Sequence, residues 1–197
     1  MGQMDILEFA QSQQRMAREV VERSGVVRAW ESAGAVVRLV GSLKTGLLMK
    51  HRDIDFHIYT DPLSVAVGFA ALGRMAEDPR LERISYTNLS QTEEHCIEWH
   101  AWFRDDDKEP WQLDMIHILT GSTYDGYFER IAERILAVLT PETKRTILTL
   151  KYETPDSEKI MGIEYCQAVL RGGVRTWAEF TQWRAEHPVQ GILDWTP

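Results

Sequence analysis

The stretch that decides the fold begins as Val40-Gly41-Ser42 and continues, after a short spacer, as Arg52-Asp53-Ile54-Asp55-Phe56-His57. Residues 35–40 are rich in valine and predict a strand, and the Gly-Ser turn behind it can present backbone N–H groups and a hydroxyl to phosphate. In the next predicted strand, Asp53 and Asp55 occupy alternate positions, so both carboxylates point to one face. Two carboxylates on one face are suitable ligands for a divalent cation.

A third acidic residue, Asp114, lies in a later apolar segment, Trp111-Gln112-Leu113-Asp114-Met115-Ile116. In a strand it would share its face with Gln112 and Ile116, and an ionised carboxylate on such a mostly apolar face needs a partner or a metal. An isolated Asp-x-Asp usually indicates only a strand with one buried face and one solvent-exposed face. The preceding Gly-Ser turn and the third carboxylate favour a metal site instead.

Together these residues resemble the signature of the DNA polymerase β-like nucleotidyltransferase superfamily. In that signature a hydrophobic residue, Gly, and Gly or Ser precede Asp-hydrophobic-Asp or Glu, and a further carboxylate follows on a later strand. The resemblance covers about residues 36–118. It implies that Asp53, Asp55 and Asp114 are the catalytic residues and also the ligands of Mg²⁺, with a pair of ions bound.

Nucleotide-binding residues are predicted around the Gly-Ser turn. The resemblance implies that Gly41 and Ser42 bind the triphosphate of a nucleotide such as ATP. Lys44 and Arg52, in the spacer, offer positive charge that stabilises phosphate groups. For each of these two cations the alternative is an ordinary charge on the surface.

A general base is predicted in a later hairpin. Two β-rich runs, residues 95–103 and 111–119, flank a polar turn and predict this hairpin. In it Asp114 lies roughly opposite His100, with Glu98 about one pair away. Either Glu98 or His100 is a candidate to accept the proton of a substrate hydroxyl. The alternative for both is the ordinary polarity of a strand.

The remaining pattern predicts an α+β (α/β) fold, with a mixed-sheet nucleotidyltransferase core followed by a helical C-terminal region. The core is assigned to residues 1–122, including an N-terminal helix, and the helical region to residues 123–197. The predicted helices and helix starts are residues 5–24, residues 43–50, Asp61-Pro62, Tyr127, Thr140-Pro141, Asp156 or Ser157, and Thr176.

Length and composition exclude several classes of protein. The 197 residues contain only two cysteines, Cys96 and Cys166, which are too few for a disulfide framework or a zinc site. Residues 1–8 lack the regions of a signal peptide, and no apolar run approaches the roughly 18 residues that span a bilayer, so a cytoplasmic protein without membrane contact is predicted. The net charge of −8 opposes a long nucleic acid partner and suits a small, cationic substrate.

The predicted function is metal-dependent transfer of a nucleoside monophosphate from a nucleoside triphosphate to a hydroxyl of a small molecule. Small bacterial members of the superfamily that modify antibiotics have a similar layout, so an aminoglycoside- or lincosamide-like acceptor is expected. One alternative changes the acceptor to protein or RNA, as in toxin–antitoxin modules. Another is a non-catalytic nucleotide-binding or interaction protein of the same fold. The sequence leaves the base preference and the oligomeric state open.

Overall fold

A five-stranded mixed sheet forms the centre of the protein, in a computed structural model that describes residues 5–105, 109–189 and 195–197. The strands are β1 (Val36–Leu39), β2 (Asp53–Thr60), β3 (Leu81–Leu89), β4 (Cys96–Phe103) and β5 (Trp111–Leu119). Their order across the sheet is β1-β2-β5-β4-β3, with β2 and β5 parallel and all other neighbours antiparallel. The predicted mixed sheet and α+β class are confirmed.

Helices precede, interrupt and follow the sheet. In the described residues they are α1 (Ile6–Ser24), α2 (Val26–Glu31), α3 (Gly41–Thr45), α4 (Val65–Met75), α5 (Tyr127–Val138), α6 (Pro141–Glu153), α7 (Gly162–Leu170) and α8 (Trp177–Glu186). Side chains fix several helix starts as the sequence predicts. Asp5 accepts a hydrogen bond from Leu7 N at 2.8 Å, and Thr140 and Thr176 form capping boxes at the starts of α6 and α8.

Three predicted helix boundaries are wrong. The helix predicted at residues 43–50 ends at Thr45, because Gly46 adopts a left-handed conformation with φ of 69° and stops it. Two other helices start later than predicted, α4 at Val65 and α7 at Gly162. In both cases the predicted start signal lies in the bend or turn that precedes the helix.

The face of the sheet that carries Ile54, Phe56 and Ile58 packs on helices α1, α2 and α4. These three side chains are almost completely buried. Alternate residues of β4 and β5 continue the apolar face, and α2 contributes the buried Trp30, whose Nε1 donates to Met115 Sδ at 3.1 Å. Because side chains alternate along a strand, the acidic residues of β2, β5 and β4 lie on the opposite face.

A second apolar cluster joins helices α5–α8 to the N-terminal part of the chain. It contains Ile147, Tyr165 and Phe180 of the C-terminal helices, together with Ala10 of α1 and Leu47 of the loop behind α3. The helical region therefore packs against α1 and this loop. The predicted division at residues 122 and 123 stays a prediction. Within the described residues, no helix combines the length and the apolar character needed to cross a membrane.

Candidate active site

The three predicted metal ligands lie on one face of the sheet, on its two parallel strands. Asp53 and Asp55 are on β2, and Asp114 is on β5, where its Cα pairs with that of Asp55. Gln112 is the register partner of Asp53 and lies on the same face. Because neighbouring strands are only about 4.8 Å apart, the side chains of Asp55 and Asp114 start from adjacent positions.

Gly41 allows the start of α3 to approach Asp55 very closely. Its φ is +65°, and a Cβ at this position would lie 1.8 Å from Oδ2 of Asp55. Val40 N donates to Asp55 O at 3.0 Å, and the backbone N–H of Ser42 donates to the Asp55 carboxylate. Only glycine suits both the left-handed backbone and the missing space, so the Gly-Ser turn and Asp55 form one structural unit.

Burial makes Asp55 an unusual acid. Loss of hydration raises its pKa, and the neighbouring charges of Asp53 and Asp114 raise it further, to about 7. Lys151 and the backbone N–H of Ser42 act in the opposite direction. Asp55 is therefore only partly ionised at neutral pH, and a cation bound beside it would favour the ionised form.

Lys151, on α6, brings positive charge to this acidic face from the C-terminal region. Its side chain is buried, and its Nζ donates to Leu47 O at 3.0 Å. Burial lowers the pKa of Lys151, while the charges of Asp53 and Asp55 raise it. The ammonium group therefore links the helical region to the loop behind α3 and acts electrostatically on the β2 acids.

The Asp114 carboxylate has two side-chain partners on the polar face, one on the neighbouring strand β4 and one on its own strand β5. His100 of β4 is its register partner, and His100 Nδ1 lies 2.5 Å from Asp114 Oδ1. Gln112 Nε2 donates to the same oxygen at 2.7 Å. The hydrogen bond to Asp114 raises the pKa of His100 above its usual value. Glu98 Oε2 is 3.9 Å from His100 Nε2, which is beyond hydrogen-bond distance.

The chemistry of the acidic face fits a hard divalent cation. Asp53, Asp55 and Asp114 supply carboxylate oxygens, and the repulsion that raises the pKa of Asp55 would be relieved by positive charge. Among residues 5–105, 109–189 and 195–197, no three acidic, histidine or cysteine side chains already stand at metal-binding separations. Binding of one ion by all three carboxylates would therefore require their oxygens to move closer together.

The two cations predicted from the spacer have different surroundings. Lys44 is exposed on α3. Arg52 directly precedes β2, where its guanidinium carbon lies 5.0 Å from the ring centroid of Trp111 and its Nη1 donates to Glu109 O at 2.7 Å. The guanidinium of Arg52 therefore lies against Trp111 of the apolar face, whereas Lys44 has the setting of a surface charge.

A cluster that the sequence analysis does not predict joins α5 to the same face. Glu129 Oε1 accepts a hydrogen bond from Tyr59 Oη at 2.5 Å and lies 3.2 Å from His57 Nδ1. Gly126 N donates to Tyr59 Oη at 3.2 Å. His57 and Tyr59 follow Asp55 at alternate positions of β2, so this cluster anchors the helical region beside the acids. Its sequence signal is weak, because Glu129 resembles any acid in the first turn of a helix.

Comparisons with known proteins give matches at the level of structure. No protein-family model and no curated protein matches the chain. Cid1, with RNA terminal uridylyl transferase activity, matches with a TM-score of 0.57 at 14% identity, over 81% of this chain and 47% of Cid1. The non-canonical poly(A) polymerase complex GLD-2–GLD-3 matches with a TM-score of 0.56 at 11% identity, over 85% and 58%. Cid1 poly(U) polymerase bound to MgGTP matches with a TM-score of 0.51 at 14% identity, over 84% and 49%.

These likenesses establish the fold. The chain shares the fold of these solved nucleotidyltransferases, and the fold that the resemblance of the Gly-Ser turn and the three acids implies is confirmed. The chain spans about half the length of the solved structures it matches.

The expected partners need correction. A small-molecule acceptor and the absence of a long nucleic acid partner were predicted from the net charge of −8 and from the layout of antibiotic-modifying enzymes. That prediction is wrong, because the matched structures are an RNA terminal transferase and a poly(A) polymerase. The physical reason for the error is that net charge sums over the whole surface and does not report the local charge where a substrate binds.

Proposed function

We propose that the protein transfers a nucleoside monophosphate from a nucleoside triphosphate to a terminal hydroxyl of RNA, with Mg²⁺ as the cofactor. The observation that carries this proposal is that Asp55, which pairs with Asp114 on the neighbouring strand, lies directly against Gly41 in a phosphate-binding type of turn. The RNA acceptor is supported by the activities named for Cid1 and GLD-2, and Mg²⁺ by the MgGTP complex of Cid1.

In this proposal the acids of β2 and β5 have separate tasks. Asp53 and Asp55 hold the cation that accompanies the triphosphate, and Asp114 faces the acceptor hydroxyl. When bound, Mg²⁺ supplies positive charge that stabilises the attacking and leaving oxygens of an in-line displacement. Gly41, through its backbone N–H group, and Ser42, through its hydroxyl, orient the triphosphate.

The reaction also needs a group that takes one proton. The oxygen of the acceptor hydroxyl forms a bond to the α-phosphorus, the bond from that phosphorus to pyrophosphate breaks, and the hydroxyl proton must leave. Asp114 is proposed to accept it, with His100 holding the same carboxylate oxygen at 2.5 Å. Glu98, which does not reach Asp114 in the register, is the weaker of the two candidates for a supporting base.

The decisive experiment measures chemistry and binding side by side. The wild-type protein is incubated with Mg²⁺, each nucleoside triphosphate and a short RNA, and both pyrophosphate release and RNA extension are recorded. The Asp114→Asn variant should keep its affinity for a non-hydrolysable triphosphate within about tenfold, roughly 1.4 kcal/mol, while extension falls much further. Exposed Asp61, just behind β2, gives the control Asp61→Asn, which should behave like wild type.

Two results would count against the proposal. If wild type binds the triphosphate tightly but releases no pyrophosphate with RNA acceptors, the protein is a nucleotide-binding protein of the same fold. If Asp114→Asn reduces binding and extension by the same small factor, Asp114 has no special part in the chemical step.

A further inference from the structure

We propose that Trp102 and Arg83 form a stacking site for the terminal nucleobase of the RNA acceptor, an inference that rests on the proposed function. Trp102 is on β4 and Arg83 is on β3, where the two residues are register partners. The guanidinium carbon of Arg83 lies 4.2 Å from the ring centroid of Trp102. This distance is within the range of a cation–π contact.

The register places this pair on the acidic face of the sheet. Trp102 pairs on its other side with Gln112, and it alternates with His100, whose register partner is Asp114. The rings of His100 and Trp102 have centroids 6.2 Å apart. A nucleobase on Trp102 would therefore have its sugar close to Asp114, the residue proposed to face the acceptor hydroxyl.

The exposure of Trp102 differs from that of the other tryptophans in the hairpin. Trp99 and Trp111 are on the apolar face and are 0% and 1% exposed, as expected of core residues. Trp102 is half-buried on the polar face, and Arg83 is exposed. Within the described residues no salt bridge occupies the Arg83 guanidinium. A half-buried aromatic ring on the polar face, covered only by an exposed cation, is more than packing of the sheet requires.

The chemistry of the pair matches a nucleobase in a single strand. Bases in single-stranded RNA stack on aromatic side chains and on guanidinium planes, and the pair offers both surfaces. The pair also reconciles an RNA acceptor with a net charge of −8. Recognition of one terminal nucleotide by stacking needs few phosphate contacts, so binding should depend only weakly on salt concentration.

The test compares Trp102→Ala and Arg83→Gln with the control Phe69→Ala. Phe69 is 54% exposed on α4 and contacts Trp99 on the opposite face of the sheet, so it is an exposed aromatic residue outside the proposed site. The Kd of a fluorescent short RNA is measured by anisotropy, and KM for RNA and for the nucleoside triphosphate by extension. Trp102→Ala should raise the Kd and KM for RNA about tenfold, with KM for the triphosphate unchanged. Arg83→Gln, a surface change, should weaken RNA binding by a smaller factor.

These measurements distinguish a failure of the stacking-site proposal from a failure of the proposed transfer activity. If both variants bind RNA as well as wild type and Phe69→Ala do, the stacking site is wrong even if extension is normal. A rise in KM for the triphosphate instead of RNA would also overturn it. If Trp102→Ala weakens RNA binding but wild type extends no RNA with any triphosphate, the stacking site stands and the proposed activity fails.

Discussion

The two faces of the central sheet are built from the same strands and have opposite physical tasks. On β2, Ile54, Phe56 and Ile58 point into the apolar cluster, whereas Asp53 and Asp55 point to the polar face. Burial of the first set contributes hydrophobic stabilisation. Burial of Asp55 opposes its ionised form and raises its pKa to about 7. Neighbouring residues of β2 therefore have different roles. One set stabilises the fold, and the other set carries the proposed chemistry.

The largest expected effect is a loss of transfer rate when an acid of the polar face is replaced. Asp53→Asn and Asp55→Asn keep the side-chain volume and remove a charge that the proposed cation needs. Loss of metal stabilisation should slow transfer by roughly a thousandfold or more, on the order of 4 kcal/mol of barrier. Asp55→Asn should not lower the free energy of unfolding, because it removes a half-buried, poorly hydrated acid that neighbouring acids repel. RNA extension and chemical denaturation measure the two quantities.

The matched control for this pair is Asp61→Asn, an exposed acid beyond the end of β2. It should change neither the transfer rate nor the stability. A folded Asp53→Asn or Asp55→Asn protein with the turnover of wild type would show that the acidic face is not the site of metal binding.

Substitutions on the apolar face should lower stability and leave the transfer rate nearly unchanged. Ile58 is fully buried in the core cluster, and Ile58→Ala should lower the free energy of unfolding by about 3 kcal/mol through lost burial and a cavity. Ile58→Val, which removes one methyl group, should cost only about 1 kcal/mol. At a temperature where the variants stay folded, the transfer rate should remain close to that of wild type. A large loss of rate without loss of stability would mean that the faces are not separable.

Gly41 tests the contact between the Gly-Ser turn and Asp55. In Gly41→Ala the new Cβ would overlap the Asp55 carboxylate and displace it, and a displacement of about 1 Å in a catalytic group can cost about a hundredfold in rate. The control is Gly25→Ala, which has the same φ of +65° but open space around its Cβ position. Both variants should lose stability of about 1 kcal/mol from the left-handed backbone, and only Gly41→Ala should lose transfer. Equal rates in the two variants would contradict a tight fit at Asp55.

The arrangement within β2 and within the β4–β5 hairpin could be predicted from the sequence because it is local, whereas the pairing of Asp55 with Asp114 was implied by the resemblance to a known family. The alternation of residues along a strand puts Asp53 and Asp55 together, and the hairpin places His100 opposite Asp114, as the register shows. The contacts of Glu129 and Lys151 could not be predicted in this way. They depend on how α5 and α6 pack on the sheet and on the loop behind α3, which no short-range pattern specifies. The roles of the site residues stay predictions.

The smallest predicted effect is a change in the pH dependence of stability and concerns His117. Like Asp55 it is an ionisable residue whose pKa is shifted by burial, but it lies on the apolar face. Its ring is fully buried 5.2 Å from that of Trp30, and Nε2 lies 2.7 Å from Thr60 Oγ1. Burial lowers the pKa of His117 to about 4, so the folded protein holds it neutral. In the unfolded chain its pKa is about 6.5, and below that value only the unfolded chain binds the proton. The resulting stability is complete above about pH 6.5 and is lost progressively as the pH falls towards 4.

His117→Phe fills a similar volume and cannot titrate, and Thr60 Oγ1 keeps its hydrogen bond to Pro62 O at 2.9 Å. Between about pH 7.5 and about pH 5.5, wild type should therefore lose about 1 kcal/mol more unfolding free energy than the variant. Urea denaturation at both pH values measures this difference, and groups shared by both proteins, including Asp55, cancel from it. Equal losses in the two proteins would mean that folded His117 accepts a proton normally, and the apolar face would then be less well sealed from water than its packing indicates.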